Sequence, residues 1–128
     1  MFKQIDYVMV NVSDMARSIG FYRDKLGLQL KSETPEWTEF QTGTTLLALH
    51  GGGKPKTPQE HGMPETYAGS CSLGFNVENL QKKYEELKSK GVRFVMPPTE
   101  RAGESIKLAV CIDPDGLPIS IAEPTRAT

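Results

Sequence analysis

An internal repeat constrains the fold of this chain more than any other feature. In each half, a segment of alternating apolar residues leads into polar residues suited to begin a helix, then an amphipathic segment and a glycine. Val12 ends the first alternating segment and has its counterpart, Val77, 65 positions later, while Gly27 has its counterpart, Gly91, 64 positions later. A strand–helix–strand unit that occurs twice predicts two similar modules in tandem.

Local patterns predict the elements of the first half. Residues 5–12 (IDYVMVNV) alternate with period two, which is typical of a half-buried strand. Ser13 and Asp14 offer an N-cap for a helix whose apolar residues recur at helical spacing until Gly27 ends it. Three further short strands are predicted over residues 28–31, 37–41 and 44–50.

The second half repeats this order. Residues 71–77 alternate like the first strand, and Glu78 and Asn79 begin a helix that Gly91 ends. Strands are predicted over residues 92–96, 106–112 and 118–122. The last two pair across the turn at residues 113–116 (DPDG), whose residue types favour a tight reversal.

Length and composition limit which partners and which cellular compartment are expected for this chain. The chain has 128 residues, a formal net charge of -1 and no block of like charges, so neither a second domain nor a nucleic-acid surface is expected. We expect no signal peptide and no membrane span, because no apolar segment is long enough. Both cysteines, Cys71 and Cys111, are predicted to be small buried side chains of strands, which fits a reducing cytoplasm.

The repeat also sets the predicted boundaries within a single domain, residues 1–128. Module one covers residues 1–50 and module two covers residues 70–128. Between them, residues 51–69 are rich in Gly, Pro, Lys, Glu and Thr, and we interpret this segment as a mobile linker that borders a pocket.

Two motifs carry a resemblance to a known family. Residues 12–28 (VSDMARSIGFYRDKLGL) contain a V-x-D, an S-x-x-F-Y and an L-G pattern. They resemble the opening signature of the vicinal oxygen chelate superfamily, the group of glyoxalases, bleomycin resistance proteins and extradiol dioxygenases. The DPDG turn and the alternating strand after it resemble the closing signature of that group. The resemblance covers residues 5–123.

The resemblance implies an α+β fold of two tandem βαβββ modules. Their mixed sheets would curl around a central cavity, with the helices on the outer face. Metal enzymes of the group place ligands at four inward positions, which match Tyr7, Ala48, Ser72 and Ser120 here. None of these is a strong ligand for zinc or iron, so the sequence predicts no metal and no other cofactor.

Alternation along the strands predicts which side chains face the cavity. Trp37 and Phe40 should lie on opposite faces of one strand, so that at least one of them offers an aromatic platform. His50 is either a hydrogen-bonding or acid–base residue at the cavity mouth or a polar residue at a strand end. The predicted face has no charged residue and suits a neutral ligand. The candidate ligand-binding residues are Tyr7, Met9, Trp37, Phe40, Ala48, His50, Ser72 and Ser120.

Three functions are compatible with these residues. The first is a metal-free binding protein, similar to the bleomycin resistance branch, that holds a small apolar or aromatic molecule in a cleft. The second is a lyase, isomerase or dioxygenase of the same superfamily that uses non-standard metal ligands or acid–base chemistry by Tyr7 and His50. The third is a partner-binding module with a filled cavity. A homodimer is expected in all three cases.

Overall fold

Each half of the chain forms a four-stranded mixed sheet with helical structure packed on one of its faces. The computed structural model describes residues 2–55, 68–101, 103 and 105–124. It divides into two units, Met1–Pro55 and Lys56–Thr128. Both units have the order βαβββ, so the predicted α+β class and the tandem repeat are confirmed.

The first unit contains four strands and one continuous helical stretch. Its sheet has the order β1-β4-β3-β2, in which β1 runs parallel to β4 and the other neighbours are antiparallel. The elements are β1 (Tyr7–Asn11), α1 (Met15–Ile19), a π-helical segment (Gly20–Lys25), β2 (Gln29–Glu33), β3 (Trp37–Thr42) and β4 (Thr45–His50).

The helical stretch begins and ends where the sequence predicts, but its second half is not α-helical. The Asp14 carboxylate accepts the Arg17 backbone N–H at 3.0 Å and caps the first turn. Further along, the Leu26 N–H donates to the Phe21 carbonyl at 2.9 Å, the five-residue spacing of a π-helix. Gly27 then leaves the helix at a positive φ of 82°, which glycine adopts without steric cost.

The core of the first unit lies between this helical stretch and one face of the sheet. Leu47 and Leu49 of β4 are buried on that face together with Phe40 of β3. From the helical stretch, Tyr22 is fully buried, and its ring lies 6.1 Å from that of Phe40. Burial of these aromatic and aliphatic side chains supplies most of the stabilisation of this unit.

The second unit repeats the plan. Its sheet has the order β5-β8-β7-β6, with β5 parallel to β8. Leu80 and Leu87 of the helix are buried, as are Ile119 and Ile121 of the central strand β8. The elements are β5 (Leu73–Asn76), α2 (Leu80–Ser89), β6 (Arg93–Arg101), β7 (Ile106–Ile112) and β8 (Pro118–Pro124).

Two expectations about the second unit were wrong. Strand β5 begins at Leu73, so Cys71 lies outside the sheet and is exposed, whereas Cys111 is buried as predicted. Strand β6 extends to Arg101 instead of ending at Met96. The sequence suggests an end there because Pro97 and Pro98 cannot donate hydrogen bonds. However, β6 is an edge strand with an irregular register between Met96 and Thr99, and such strands tolerate proline.

The start of α2 is held by two side chains. The Asn79 side-chain oxygen accepts the Lys82 N–H at 3.1 Å, which is an ordinary N-cap. Glu123, at the end of β8, accepts the Leu80 N–H at 2.7 Å and so ties the helix to the central strand of its sheet.

No helix in the described part of the chain is long and apolar enough to cross a bilayer.

Candidate functional site

The face of the first sheet that points away from the helical stretch is the candidate site. Residues paired across neighbouring strands point to the same side of a sheet. The pairs Met9 with Ala48 and Trp37 with His50 therefore share one side, while Leu47 and Leu49 face the other. We call this side the open face. From strands β1, β3 and β4 it comprises Tyr7, Met9, Asn11, Trp37, Glu39, Gln41, Leu46, Ala48 and His50.

Three rings form a cluster on the open face. The Trp37 ring lies at its centre, with the Tyr7 ring 5.5 Å away at 82° and the His50 ring 6.2 Å away at 78°. Both contacts are edge-to-face, a geometry that aromatic quadrupoles favour. Tyr7 and Trp37 belong to β1 and β3, so their rings meet across the intervening strand β4. We call these three residues the aromatic cluster.

The cluster has a small, buried floor and an exposed rim. Ala48 lies between Leu46 and His50 on this side of β4 and is fully buried, so its methyl group leaves room for the rings above it. By contrast, Tyr7 and Met9 of β1 are 49% and 42% exposed. Large apolar side chains exposed side by side on a sheet indicate a surface for another molecule.

Glu39 was missed in the sequence and lies beside the cluster. Its Oε2 accepts the Trp37 indole N–H at 2.9 Å, and both side chains are half-buried. The expectation that this face has no charged residue was therefore wrong. The signal was present in the sequence, because Glu39 follows Trp37 at the period of two that places both on one side of a strand.

His50 ends β4, and its ring belongs to the aromatic cluster. The backbone fixes its position. The His50 carbonyl accepts the Val12 N–H at 2.9 Å, and the next N–H, that of Gly51, donates to the Glu36 carbonyl at 2.9 Å. A side chain on Gly51 would place its Cβ 2.7 Å from the Pro35 carbonyl oxygen, so this close crossing requires glycine.

Phe40 does not belong with the other candidate residues of the first unit. It was predicted to be a ligand-binding residue, but its ring is 0% exposed and packs against Tyr22 on the helix side. Trp37 and Phe40 do lie on opposite faces of β3, as the alternation indicated. Trp37 is thus the ring on the open face, and Phe40 belongs to the core.

The candidate residues of the second unit are small. Ser120 pairs with Gly74 across β5 and β8, on the side opposite the buried Ile119 and Ile121. A Cβ added to Gly74 would meet no atom within 4 Å, so this side of the strand is open. Ser72 precedes β5 and is exposed. Two hydroxyl groups and a glycine here offer space and weak hydrogen bonds.

The four positions matched to metal ligands do not fit a divalent metal ion. Ala48 has no donor atom, and the Tyr7 ring is packed edge-on against Trp37. Ser72 and Ser120 contribute only neutral hydroxyls, which are poor partners for zinc or iron. Among the described residues, no three His, Cys, Asp or Glu side chains are grouped so that they could hold a metal ion. No metal-dependent step is assigned to these residues.

The fold and the motifs agree with the family comparison. The family model of the glyoxalase/bleomycin resistance protein/dioxygenase superfamily matches residues 4–121. This chain belongs to that superfamily. The predicted family is thereby confirmed over nearly the whole chain.

Relatives within the superfamily bear different names. The chain is 32% identical over 127 residues to the uncharacterized protein YurT of Bacillus subtilis. The alignment covers 88% of this chain and 92% of YurT. The chain is 29% identical over 131 residues to lactoylglutathione lyase of Haemophilus influenzae, with 94% and 92% covered. Because the superfamily fold carries several chemistries, these likenesses define the family and leave the reaction or ligand open.

Solved structures show the same fold. The crystal structure of SMU.1112c has a TM-score of 0.80 and 26% identity, covering 96% of this chain and 100% of that one. The virulence protein STM3117 of Salmonella typhimurium has a TM-score of 0.71 and 26% identity, with 96% and 98% covered.

Proposed function

We propose that this superfamily member binds a small apolar or aromatic molecule on the open face of its first sheet without the help of a metal. The observation that carries the proposal is the aromatic cluster with its exposed rim at Tyr7 and Met9. Its rings are held edge-to-face, so flat ring surfaces remain for a planar molecule. Transfer of such surface from water gives about 25 cal/mol per Å² of apolar area buried.

Polar groups around the cluster can orient the bound molecule. The Tyr7 hydroxyl, the Asn11 amide and the His50 imidazole all lie on the open face and can donate or accept hydrogen bonds. Binding sites for small molecules commonly combine an apolar wall with a few such groups. Ala48 forms the buried floor beneath these groups.

Trp37 provides a direct test, because it is the only tryptophan of the chain. We expect its fluorescence to change saturably when planar aromatic probes such as naphthol and indole are titrated into the protein. Tyr7→Ala and Met9→Ala should each weaken binding of the best probe by about tenfold, the effect of losing about 1.4 kcal/mol. Phe2→Ala is the matched control, because Phe2 is 99% exposed and outside the open face. Unchanged affinity in both rim variants would refute the assigned site.

A second function, metal-dependent lyase, isomerase or dioxygenase chemistry with non-standard ligands, is favoured by the likeness to lactoylglutathione lyase and by two strong donors, Glu39 and His50, on one face. Elemental analysis of tag-free protein, followed by titration with nickel, zinc, iron and manganese, separates it from the first. About one tightly held ion per chain, lost in Glu39→Gln and His50→Ala together, would favour the enzyme. Absence of binding on titration would favour the metal-free site.

The predicted homodimer and the cytoplasmic location remain predictions. Light scattering at several protein concentrations tests the dimer, and the titration with aromatic probes should be repeated at each concentration. An affinity that falls as the dimer dissociates would mean that a second copy completes the site.

A further inference from the structure

The charge distribution of the open face points to a more specific ligand than an aromatic molecule. Of the residues that β1, β3 and β4 contribute to this face, Glu39 alone is acidic, and none is lysine or arginine. Lys31, in the bulge of the neighbouring strand β2, forms no ion pair with Glu39. We infer, on the basis of the proposed binding function, that the ligand is an organic cation. It would carry an ammonium or guanidinium group on a planar or apolar body, with the charge held between Glu39 and the Trp37 ring.

Glu39 lacks the ion pair that Asp24 and Glu86 have. Asp24 pairs with Arg23 at 2.8 Å, and Glu86 lies within reach of both Lys83 and Lys90. Within the described residues, Glu39 forms no ion pair, and its Oε2 accepts a hydrogen bond from the Trp37 indole N–H. The other carboxylate oxygen, Oε1, is left to accept a donor from a ligand.

Partial burial increases the effect of this missing partner. A half-buried carboxylate loses part of its hydration, and a hydrogen bond from a neutral indole does not neutralise its charge. A cation with N–H groups would supply a charge-assisted hydrogen bond, which is stronger than a neutral one. The open face therefore favours a positively charged ligand over a neutral one of the same shape.

The aromatic cluster favours the same kind of ligand. Indole is the strongest side-chain partner for a cation that lies over its face, and Tyr7 stands 5.5 Å away as a second ring. The hydrogen bond to Glu39 holds the Trp37 ring next to the carboxylate, so a single cationic group can touch both. Neighbouring Met9 and Leu46 then contact the apolar body of the ligand.

The experiment uses two probes that have the same shape and differ in charge. These are 4-hydroxybenzylammonium, which has N–H donors, and 4-ethylphenol, titrated by calorimetry into the wild-type protein. The cationic probe should bind at least about tenfold more tightly, and the preference should shrink with added salt, because salt screens the charge of Glu39.

Glu39→Gln separates charge from shape. The amide oxygen can still accept the Trp37 N–H, so the ring keeps its position while the negative charge is lost. We expect this variant to lose most of the preference for the cation, with the share due to the aromatic rings remaining, and to keep the wild-type affinity for the neutral probe. Glu36→Gln is the matched control, because it removes the same charge from an exposed residue just before β3 and should keep the preference.

The outcomes distinguish this inference from the proposed function. Equal binding of the two probes by the wild type, or a preference that is undiminished in Glu39→Gln, would overturn the assignment of the cation to Glu39 and leave an aromatic site in place. Absence of saturable binding for both probes and for the planar panel would overturn the binding function itself. If Glu39→Gln unfolds at a lower temperature, the salt dependence of the wild-type preference decides, and a preference independent of salt would contradict the inference.

Discussion

The open face of the first sheet and the corresponding side of the second sheet, which carries Gly74 and Ser120, have the same backbone plan and different side chains. In the first sheet Met9 pairs with Ala48 and Asn11 with His50, and in the second Gly74 pairs with Ser120 and Asn76 with Ala122. Met9 and His50 of the first sheet thus correspond to Gly74 and Ala122 of the second, whereas Asn11 corresponds to Asn76 and Ala48 to Ser120. The helix-side faces, by contrast, are apolar in both units. The repeat thus keeps the residues that stabilise each unit and varies those that can meet a ligand.

The largest expected effect tests whether only the helix side of the first sheet stabilises the fold. Phe40→Ala should lower the free energy of unfolding by about 3–5 kcal/mol, because it leaves a cavity beside Tyr22. Tyr7→Ala, at an exposed position of the same sheet, should cost less than about 1 kcal/mol. Urea titration measures both. Equal losses would show that the open face is part of a core.

The next largest loss of stability is expected at Gly51, where the chain after β4 passes close to the Pro35 carbonyl oxygen. Gly51→Ala should lower the free energy of unfolding by about 1–3 kcal/mol, because the new Cβ would press on the Pro35 carbonyl oxygen at 2.7 Å. It should also weaken binding of the aromatic probes, since His50 would shift. A variant as stable as the wild type would contradict the geometry of this crossing. Gly43→Ala is no control here, because Gly43 has a positive φ of 74°.

The helix side of the second sheet can be tested by alkaline pH. Burial raises the pKa of the Cys111 thiol to about 12 from an ordinary 9.0, and the charge of Asp113 adds to this. Because the folded state holds this proton more tightly, the stabilisation is complete below pH 9.0 and is lost as the pH rises towards 12. One unit above 9.0 the loss from this thiol is about 1.4 kcal/mol.

The measurement for Cys111 is urea titration across this pH range, with Cys111→Ala as the control. The variant should lose less stability on going to alkaline pH than the wild type does. A thiol reagent offers a second check, since the exposed Cys71 should react in the native protein and Cys111 only after unfolding. Reaction of both thiols at the same rate in the native protein would mean that this side of the sheet is open.

The smallest change in stability is expected on the side of the second sheet that carries Gly74 and Ser120. Gly74→Ala should raise the free energy of unfolding by about 0.5–1 kcal/mol, because glycine weakens a strand and the added methyl group meets nothing within 4 Å. Binding of the probes should not change. A loss of affinity would extend the binding site to the second unit and would remove the contrast between the two faces.

Much of this fold could be read from the sequence because its repeated signals are local. Asp14 and Asn79 are the N-caps that the pattern indicated, and Gly27 and Gly91 mark the ends of both helical stretches. The π-helical segment could not be foreseen, because apolar spacing there fits an α-helix equally well. The length of β6 was missed because the tolerance of Pro97 depends on which strand forms the edge of the sheet.

The candidate site was harder to predict than the fold. Alternation correctly placed Tyr7 and Met9 on one side of β1. It could not decide whether Phe40 meets a ligand or the core, because that depends on where the helical stretch packs. The meeting of Tyr7 and Trp37 across β4 is a contact between residues 30 positions apart and needs the strand order.

The strand order also has a consequence for biosynthesis. In each unit the first strand has a single neighbour, and that neighbour is the last strand of the unit: β1 pairs with β4, and β5 pairs with β8. On the ribosome, β1 therefore waits for residues up to His50, and β5 waits for residues up to Pro124. The last strand of each unit to be synthesised enters the middle of its sheet, so the sheet forms only after that strand has been made. A stalled ribosome between these points would expose β5 as an unpaired strand edge, the kind of surface that nascent-chain chaperones protect.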